Sequence, residues 1–243
     1  MANIIFSGKS DVGLKRMNNE DAFLVKSELG LCAVADGMGG AAFGEVASRI
    51  FCDTTFELFS RANPQSEAET VEMMHMTFQL ANERILNKAK QEPGHDGMGC
   101  TAELLKFFGQ IYVIGHVGDS RVYLFRQGQL KQVTKDHSLV QEQLEQGLIS
   151  TIEARKHSLR HLILRAVGIN DSLAVDFIKG KAVPGDIFLL CSDGLSDMID
   201  DSLIQQALSL PVNLQQKTDT LIQSAKSAGG YDNITVILCE VAA

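Results

Sequence analysis

Four aspartates stand where an apolar run breaks into a glycine-permitted turn. Asp36 follows L-C-A-V-A and precedes G-M-G-G, and Asp119 follows Val117-Gly118. Asp193 follows Cys191-Ser192 and precedes Gly194, and Asp232 sits in G-G-Y-D-N ahead of a final apolar run. A strand that ends in such a turn projects a side chain from one edge of a sheet. Glycine beside it lets main-chain carbonyls come close to a ligand. Carboxylates gathered at one edge repel each other unless a cation sits among them. An all-oxygen donor set favours Mg²⁺ or Mn²⁺ over Zn²⁺. Two such ions ~3.5–4 Å apart can activate a water at neutral pH and clamp an in-line displacement at phosphorus. A single aspartate beside such a turn is ordinary; four aspartates so placed, two of them in glycine-rich runs, point to a metal site.

A second signal lies near the start, in S-D-V-G-L-K-R-M-N-N-E-D over residues 10–21. Arg16 there stands close to Glu20 and Asp21, directly ahead of a strand-like run. Its planar fork matches two oxygens of a phosphate. Taken alone, a surface arginine paired with Glu20 explains the segment equally well. Other nucleophile and phosphate motifs are missing. Gly8-Lys9-Ser10 ends like a phosphate-binding loop, but position 3, where that loop needs glycine, is Asn3. There is no G-x-S-x-G, and no cysteine is followed six residues later by arginine.

The elements that must position these groups form a mixed pattern. Strand-like runs cover 4–9, 22–27, 31–35, 102–108, 111–117, 122–126, 174–179, 187–191 and 234–241. Several are adjacent pairs joined by short turns, which predicts antiparallel hairpins and not βαβ crossovers. Helical spacing predicts a helix over 44–60. A second starts at Ser66, with a capping box in S-E-A-E and Val71, Met74, Phe78, Ala81 and Ile85 on one face. Met73, Met74 and Met76 read as core filler. Two later helices are expected over 201–208 and 214–227. Residues 135–165 are polar and weakly periodic, which suits a flap at the surface. The fold class is α+β, with sheets in the middle and helices outside.

The chain has 243 residues, 45% of them hydrophobic and 21% charged, so one domain over 1–243 can bury a real core. Its 22 basic and 30 acidic side chains give a formal charge of −8, which disfavours nucleic acid or an anionic membrane as the main partner. No basic, apolar leader opens it, and no apolar run is long enough to span a bilayer. Five cysteines without zinc spacing read as buried free thiols in a reducing compartment, so the expected address is cytoplasmic. His75, His95, His116 and His157 read as ordinary surface or satisfied core histidines, and Glu142 and Glu145 as a solvated face.

In order along the chain, residues 10–21, V-A-D-G-M-G-G (34–40), G-M-G-C-T (97–101), V-G-D-S-R (117–121), C-S-D-G (191–194) and G-Y-D-N-I-T (230–235) resemble the metal-dependent protein serine/threonine phosphatases of type 2C, in their bacterial form. The resemblance spans essentially the whole chain. It implies a sandwich of two antiparallel sheets flanked by helix pairs (α-β-β-α), with a flap beside the active site.

It also implies roles. Asp36 would bridge two Mn²⁺ or Mg²⁺ ions, the Gly37 carbonyl would ligate one, and Asp193 and Asp232 would complete the set. Asp119, sharing Asp193, would serve a possible third ion. Glu20 and Asp21 would act through metal-bound waters, Asn233 would orient Asp232, and Arg16 would hold the substrate phosphate. His161 on the flap would meet the third ion or the substrate. A metal-bridging hydroxide would attack phosphorus directly, with no phospho-enzyme. Animal members carry histidine after the Asp-Gly pair as proton donor to the leaving group. Here that position is Met38, so a metal-bound water or His161 is the candidate donor.

The implied function is hydrolysis of phosphoserine and phosphothreonine on proteins by a monomer that opposes a serine/threonine kinase. The alternative is a catalytically weak or dead relative that binds phosphoproteins. A third reading keeps the chemistry and moves it to an anti-sigma-factor antagonist.

Overall fold

The apolar runs become two five-stranded antiparallel sheets stacked face to face, seen in a computed structural model that describes residues 3–39, 43–92, 94 and 97–242. The first sheet orders β1 (Ile4–Asp11), β12 (Ile234–Val241), β11 (Ile187–Cys191), β8 (Arg121–Arg126) and β9 (Gln129–Gln132). The second orders β10 (Asp176–Lys181), β7 (Ile111–Val117), β6 (Ala102–Phe108), β3 (Leu31–Ala35) and β2 (Ala22–Lys26). Two short strands, β4 (Gly37–Met38) and β5 (Gly99–Cys100), pair with each other beside the second sheet.

Helices close the outer faces. The long pair α1 (Gly44–Arg61) and α2 (Glu67–Gln91) lays Phe51, Phe59, Met74, Phe78 and Ile85 on Leu31, Ala33, Leu104 and Val113 of the second sheet. On the first sheet, α6 (Asp201–Ser209) and α7 (Leu214–Ser227) bury Ile204, Leu208, Leu221 and Ile222 against Leu189, Val236 and Leu238. Between the sheets, Val34, Leu105, Ile114, Phe188, Leu190 and Ile237 make a third apolar layer. Strands covered on both faces cannot alternate apolar with polar, which is why 31–35 and 187–191 are unbroken apolar runs, buried at every position.

Short helices α3 (Leu139–Glu145) and α4 (Thr151–Lys156) lie in the flap segment, and the single turn α5 (Asp193–Ser196) follows β11. The β8–β9 turn carries Gln127 at φ 53° and Gly128 at φ 77°, the left-handed pair that matches hairpin twist.

Several expectations shift. β10 begins two residues later than its apolar run, and β9 is a polar edge strand with no alternation to announce it. Ser66 does accept from the Glu69 N–H at 3.2 Å, but the Glu69 carboxylate takes the Gln65 N–H at 3.0 Å, one residue before a capping box would place it. Complete boxes form instead at Ser150/Glu153 and Asn213/Gln216. Met74 is core, whereas Met76 is exposed. All five cysteines are free and buried. Among the described residues, no helix is long and apolar enough to cross a membrane. Gly40 of the glycine-rich run and His95 lie outside the described residues.

Candidate metal centre

One end of the sandwich collects the singled-out aspartates because five strands start or stop there. Asp21 precedes β2, Asp36 follows β3, Asp119 follows β7, Asp193 follows β11 and Asp232 precedes β12. The main chain locks the Asp36 turn tightly. The Asp36 N–H donates to the Thr101 hydroxyl at 3.0 Å, and the Thr101 N–H returns to the Asp36 carbonyl at 2.9 Å. Gly37 admits no side chain, since a Cβ there would lie 2.2 Å from the Gly44 carbonyl oxygen and 2.5 Å from that of Glu20. The first turn of α1 thus packs directly on the Asp-Gly turn.

A cavity of ≈ 480 Å³ opens at this end, lined by Arg16, Glu20, Asp36, Gly37, Met38, Asp119, His161, Asp193 and Asp232, with Thr101, Arg160, Asp197 and Tyr231 also on its wall. Asp21 stands behind the wall, where its Oδ2 accepts from Thr235 at 2.6 Å and Ser192 at 2.8 Å. Arg16 does not take Glu20 as its hydrogen-bonded partner. Its Nη2 donates to Asp232 Oδ2 at 2.7 Å, across 216 residues of sequence.

Asn233 reaches both Asp232 and the Arg16 loop. Its backbone N–H does meet Asp232 Oδ1 at 2.8 Å. The side chain, however, braces the Arg16 loop: Nδ2 donates to the Val12 and Asn18 carbonyls, and Oδ1 accepts from the Glu20 N–H. Asp197 went unnoticed in the sequence. It follows Asp193 by four residues across one helical turn, so the two face the same way. Its Oδ2 lies 3.3 Å from His161 Nδ1 and 3.8 Å from Arg160 Nε. The D-G-L-S-D spacing was the available signal.

The electrostatics are those of a cation site. Burial, followed by repulsion from Asp21, Asp193, Asp119 and Asp232, pushes the Asp36 carboxyl well above its ordinary range. Asp193 rises for the same reasons, burial first and then repulsion led by Asp119 and Asp197. Burial lifts Asp119 to about 7, helped by Asp136 and Asp197. Burial also lifts Asp21 to about 6, against the opposing hydrogen bonds from Thr235 and Ser192.

The Oδ1 atoms of Asp21, Asp119 and Asp193 meet no hydrogen-bond donor among the described residues. Buried, unpaired carboxylate oxygens are costly unless a cation compensates them. Six carboxylates line the cavity against two arginines, and the donors are oxygens, so a hard divalent ion fits. His161, Asp193 and Asp197 each present one ligand atom within 4.8 Å of the others. Asp36, Asp119 and Asp232 line the same cavity.

A family model described as protein phosphatase 2C matches residues 14–239. The serine/threonine protein phosphatase PstP of Mycobacterium tuberculosis is 37% identical over 236 residues, covering 97% of this chain and 45% of that protein. The serine/threonine phosphatase stp of Listeria monocytogenes is 37% identical, covering 96% of this chain and 94% of its own. Thus the chain spans about half the length of the first relative and nearly all of the second. A crystal structure of the PstP catalytic domain in complex with two manganese ions superposes with a TM-score of 0.90 at 36% identity, covering 99% of both chains.

Proposed function

The chain belongs to the protein phosphatase 2C family, and on that footing we propose that it is a metal-dependent phosphatase acting on phosphoserine and phosphothreonine of proteins, opposing a serine/threonine kinase. The observation that carries the reading is the ring of buried carboxylates with unpaired oxygens around one cavity that also holds an arginine fork. The 1–243 span is taken as one catalytic domain, with the flap over about 135–165 forming the cavity's far wall.

Asp36, Asp193, Asp232 and the Gly37 carbonyl would hold two Mn²⁺ or Mg²⁺ ions, and Asp119 with Asp193 a third. When bound, such ions neutralise charge at phosphorus and make a water nucleophilic at neutral pH. The chain's own groups supply the rest. Arg16 exchanges its contact with Asp232 for two phosphate oxygens, fixing the phosphoryl group for in-line displacement and drawing off charge as it develops. Glu20 and Asp21 would serve the bound ions from outside their direct ligands, Asp21 being held in place by Ser192 and Thr235. Asn233 keeps the Arg16 loop at the cavity rim through its three side-chain hydrogen bonds. Met38 cannot donate a proton; His161, which lines the cavity, is the candidate side chain for protonating the departing alkoxide, with a metal-bound water as the other candidate donor.

The test is hydrolysis of a phosphothreonine peptide by purified protein with Mn²⁺, with EDTA, and in Asp36→Ala. Turnover that needs both the metal and Asp36 is expected. No turnover from folded, Mn²⁺-loaded protein would overturn the reading in favour of a phosphoprotein-binding module.

A further inference from the structure

The layer between the sheets is mostly apolar, with charged pairs at its two ends: Arg126 with the buried Asp186 at one, and a buried carboxylate–imidazole pair at the end nearest the aspartates. There Glu103 of β6 and His116 of β7 are register partners, with Asp176 of β10 next in the row. Both Glu103 and His116 are fully buried. Their strand mates two and four residues away, Leu105 and Phe107, Ile114 and Tyr112, pack in the inter-sheet core, so both side chains point into that space. A carboxylate and an imidazole are expensive there unless paired. They are paired: Glu103 Oε1 meets His116 Nδ1 in a very short contact. The other ring nitrogen, Nε2, donates to the Lys135 carbonyl at 2.8 Å. The pair therefore ties the second sheet to the segment that leads into the flap.

His137 continues the structure. Its ring stacks on that of His116, with centroids 4.4 Å apart. Its N–H donates to the Gly118 carbonyl at 2.7 Å, and its Nδ1 accepts the Gly118 N–H at 3.1 Å. Gly118 sits at φ +112°, and a Cβ on it would lie 2.6 Å from the Thr101 side chain. The turn that carries Asp119 is thus clamped between Thr101 and His137. The far stem of the flap reaches the same point. The Leu164 N–H donates to the His137 carbonyl at 2.7 Å, and Arg165 Nη1 lies 3.2 Å from His137 Nε2 and 3.0 Å from Asp176 Oδ1.

We infer that His137, seated on the Glu103–His116 pair, is a positioning residue for Asp119 that also registers both stems of the flap against it. The inference rests on the proposed reading of Asp119 as a ligand of the weakest-held cation. An apolar trio of similar volume would fill the layer at lower cost. What it would not supply is the side-chain half of the two-point grip on Gly118, the Nδ1 acceptor for its N–H, which fixes the turn that aims the unpaired Asp119 Oδ1.

Mn²⁺ titration calorimetry on the whole chain tests this, alongside amide exchange at Gly118 by NMR. His137→Ala is expected to weaken the weakest Mn²⁺ step by about ten-fold or more, as loss of an outer support does. The tighter steps should stay unchanged, and exchange of the Gly118 amide should accelerate. Asp119→Ala should abolish that same step, and the double variant should be no worse than Asp119→Ala. His137→Asn, whose Oδ1 can take the place of Nδ1 as acceptor, should recover most of the loss. Glu103→Gln is the second variant should His137→Ala not fold, with a smaller weakening in the same direction.

Several outcomes would overturn the inference. They are wild-type Mn²⁺ binding in His137→Ala, additive loss in the double variant, no rescue by His137→Asn, and an Asp119→Ala variant that keeps every Mn²⁺ step. Turnover of the phosphothreonine peptide by the wild-type chain reports separately on the proposed function, so the two can fail independently.

Discussion

In protein stripped of metal, replacing Asp119 by asparagine should stabilise the fold, and only at neutral to alkaline pH. Asp119 is 9% exposed, and burial with repulsion from Asp136 and Asp197 lifts its carboxyl from 3.8 to about 7. The folded, metal-free chain then keeps a proton that the unfolded chain releases near 3.8. Between those values the native state binds more protons, so stability falls as pH rises through the window. Roughly three units at 1.36 kcal/mol each gives about 4 kcal/mol as an upper bound on the cost of ionisation. Relaxation of the turn and entry of water bring this to about 2–4 kcal/mol. For a chain of this length, that corresponds to about 5–10 °C in melting temperature.

Thermal and urea unfolding of wild type and Asp119→Asn in EDTA should therefore coincide near pH 4 and diverge near pH 8, with the variant more stable. Saturating Mn²⁺ should reverse the order, because an ion held by the native state adds stability that the amide forfeits. A variant less stable than wild type in EDTA at pH 8, or equally shifted at both pH values, would refute the reasoning.

Three further outcomes follow from the geometry. Arg16→Ala should lower kcat/KM on a phosphothreonine peptide by about 10–100-fold. Its ion pair with Asp232 is half exposed, so the melting curve should move by less than about 1 kcal/mol; a large loss of stability with unchanged kinetics would contradict the assignment. Gly37→Ala should destabilise by about 3 kcal/mol or more, measured by urea unfolding, because its Cβ would lie 2.2 Å from a backbone oxygen of α1. His161→Ala should slow the phosphothreonine peptide by about ten-fold or more while sparing p-nitrophenyl phosphate, whose leaving group needs no proton. Equal slowing of both substrates would remove His161 as the donor.

Much of the site was legible because the signals are local. An apolar run that stops at Asp-Gly marks a strand end and a close-approach turn in the same few residues, and Asp36 and Asp193 were visible that way; Asp232 was visible from the glycine pair that precedes it ahead of the last strand. Strands 31–35, 102–108, 111–117, 187–191 and 234–241 were legible to the residue, because layers covered on both faces leave apolar-rich stretches, unbroken in 31–35 and 187–191.

Other features depended on partners that local pattern does not contain. β9 is held by its pairing with β8 and not by its own polar sequence. Arg16 had Glu20 four residues away, yet the fold brought Asp232 to its guanidinium. Asn233 meets its neighbour Asp232 through its backbone N–H, while its side chain spans the gap to the Arg16 loop, a link no local pattern contains. His116 could only be called satisfied or exposed until strand register set Glu103 opposite it and the flap stem laid His137 on its ring. Residue type and spacing determined which groups could do chemistry here; which group answers which was decided by register across the sheets, since a carboxylate recognises its partner through space and not along the chain.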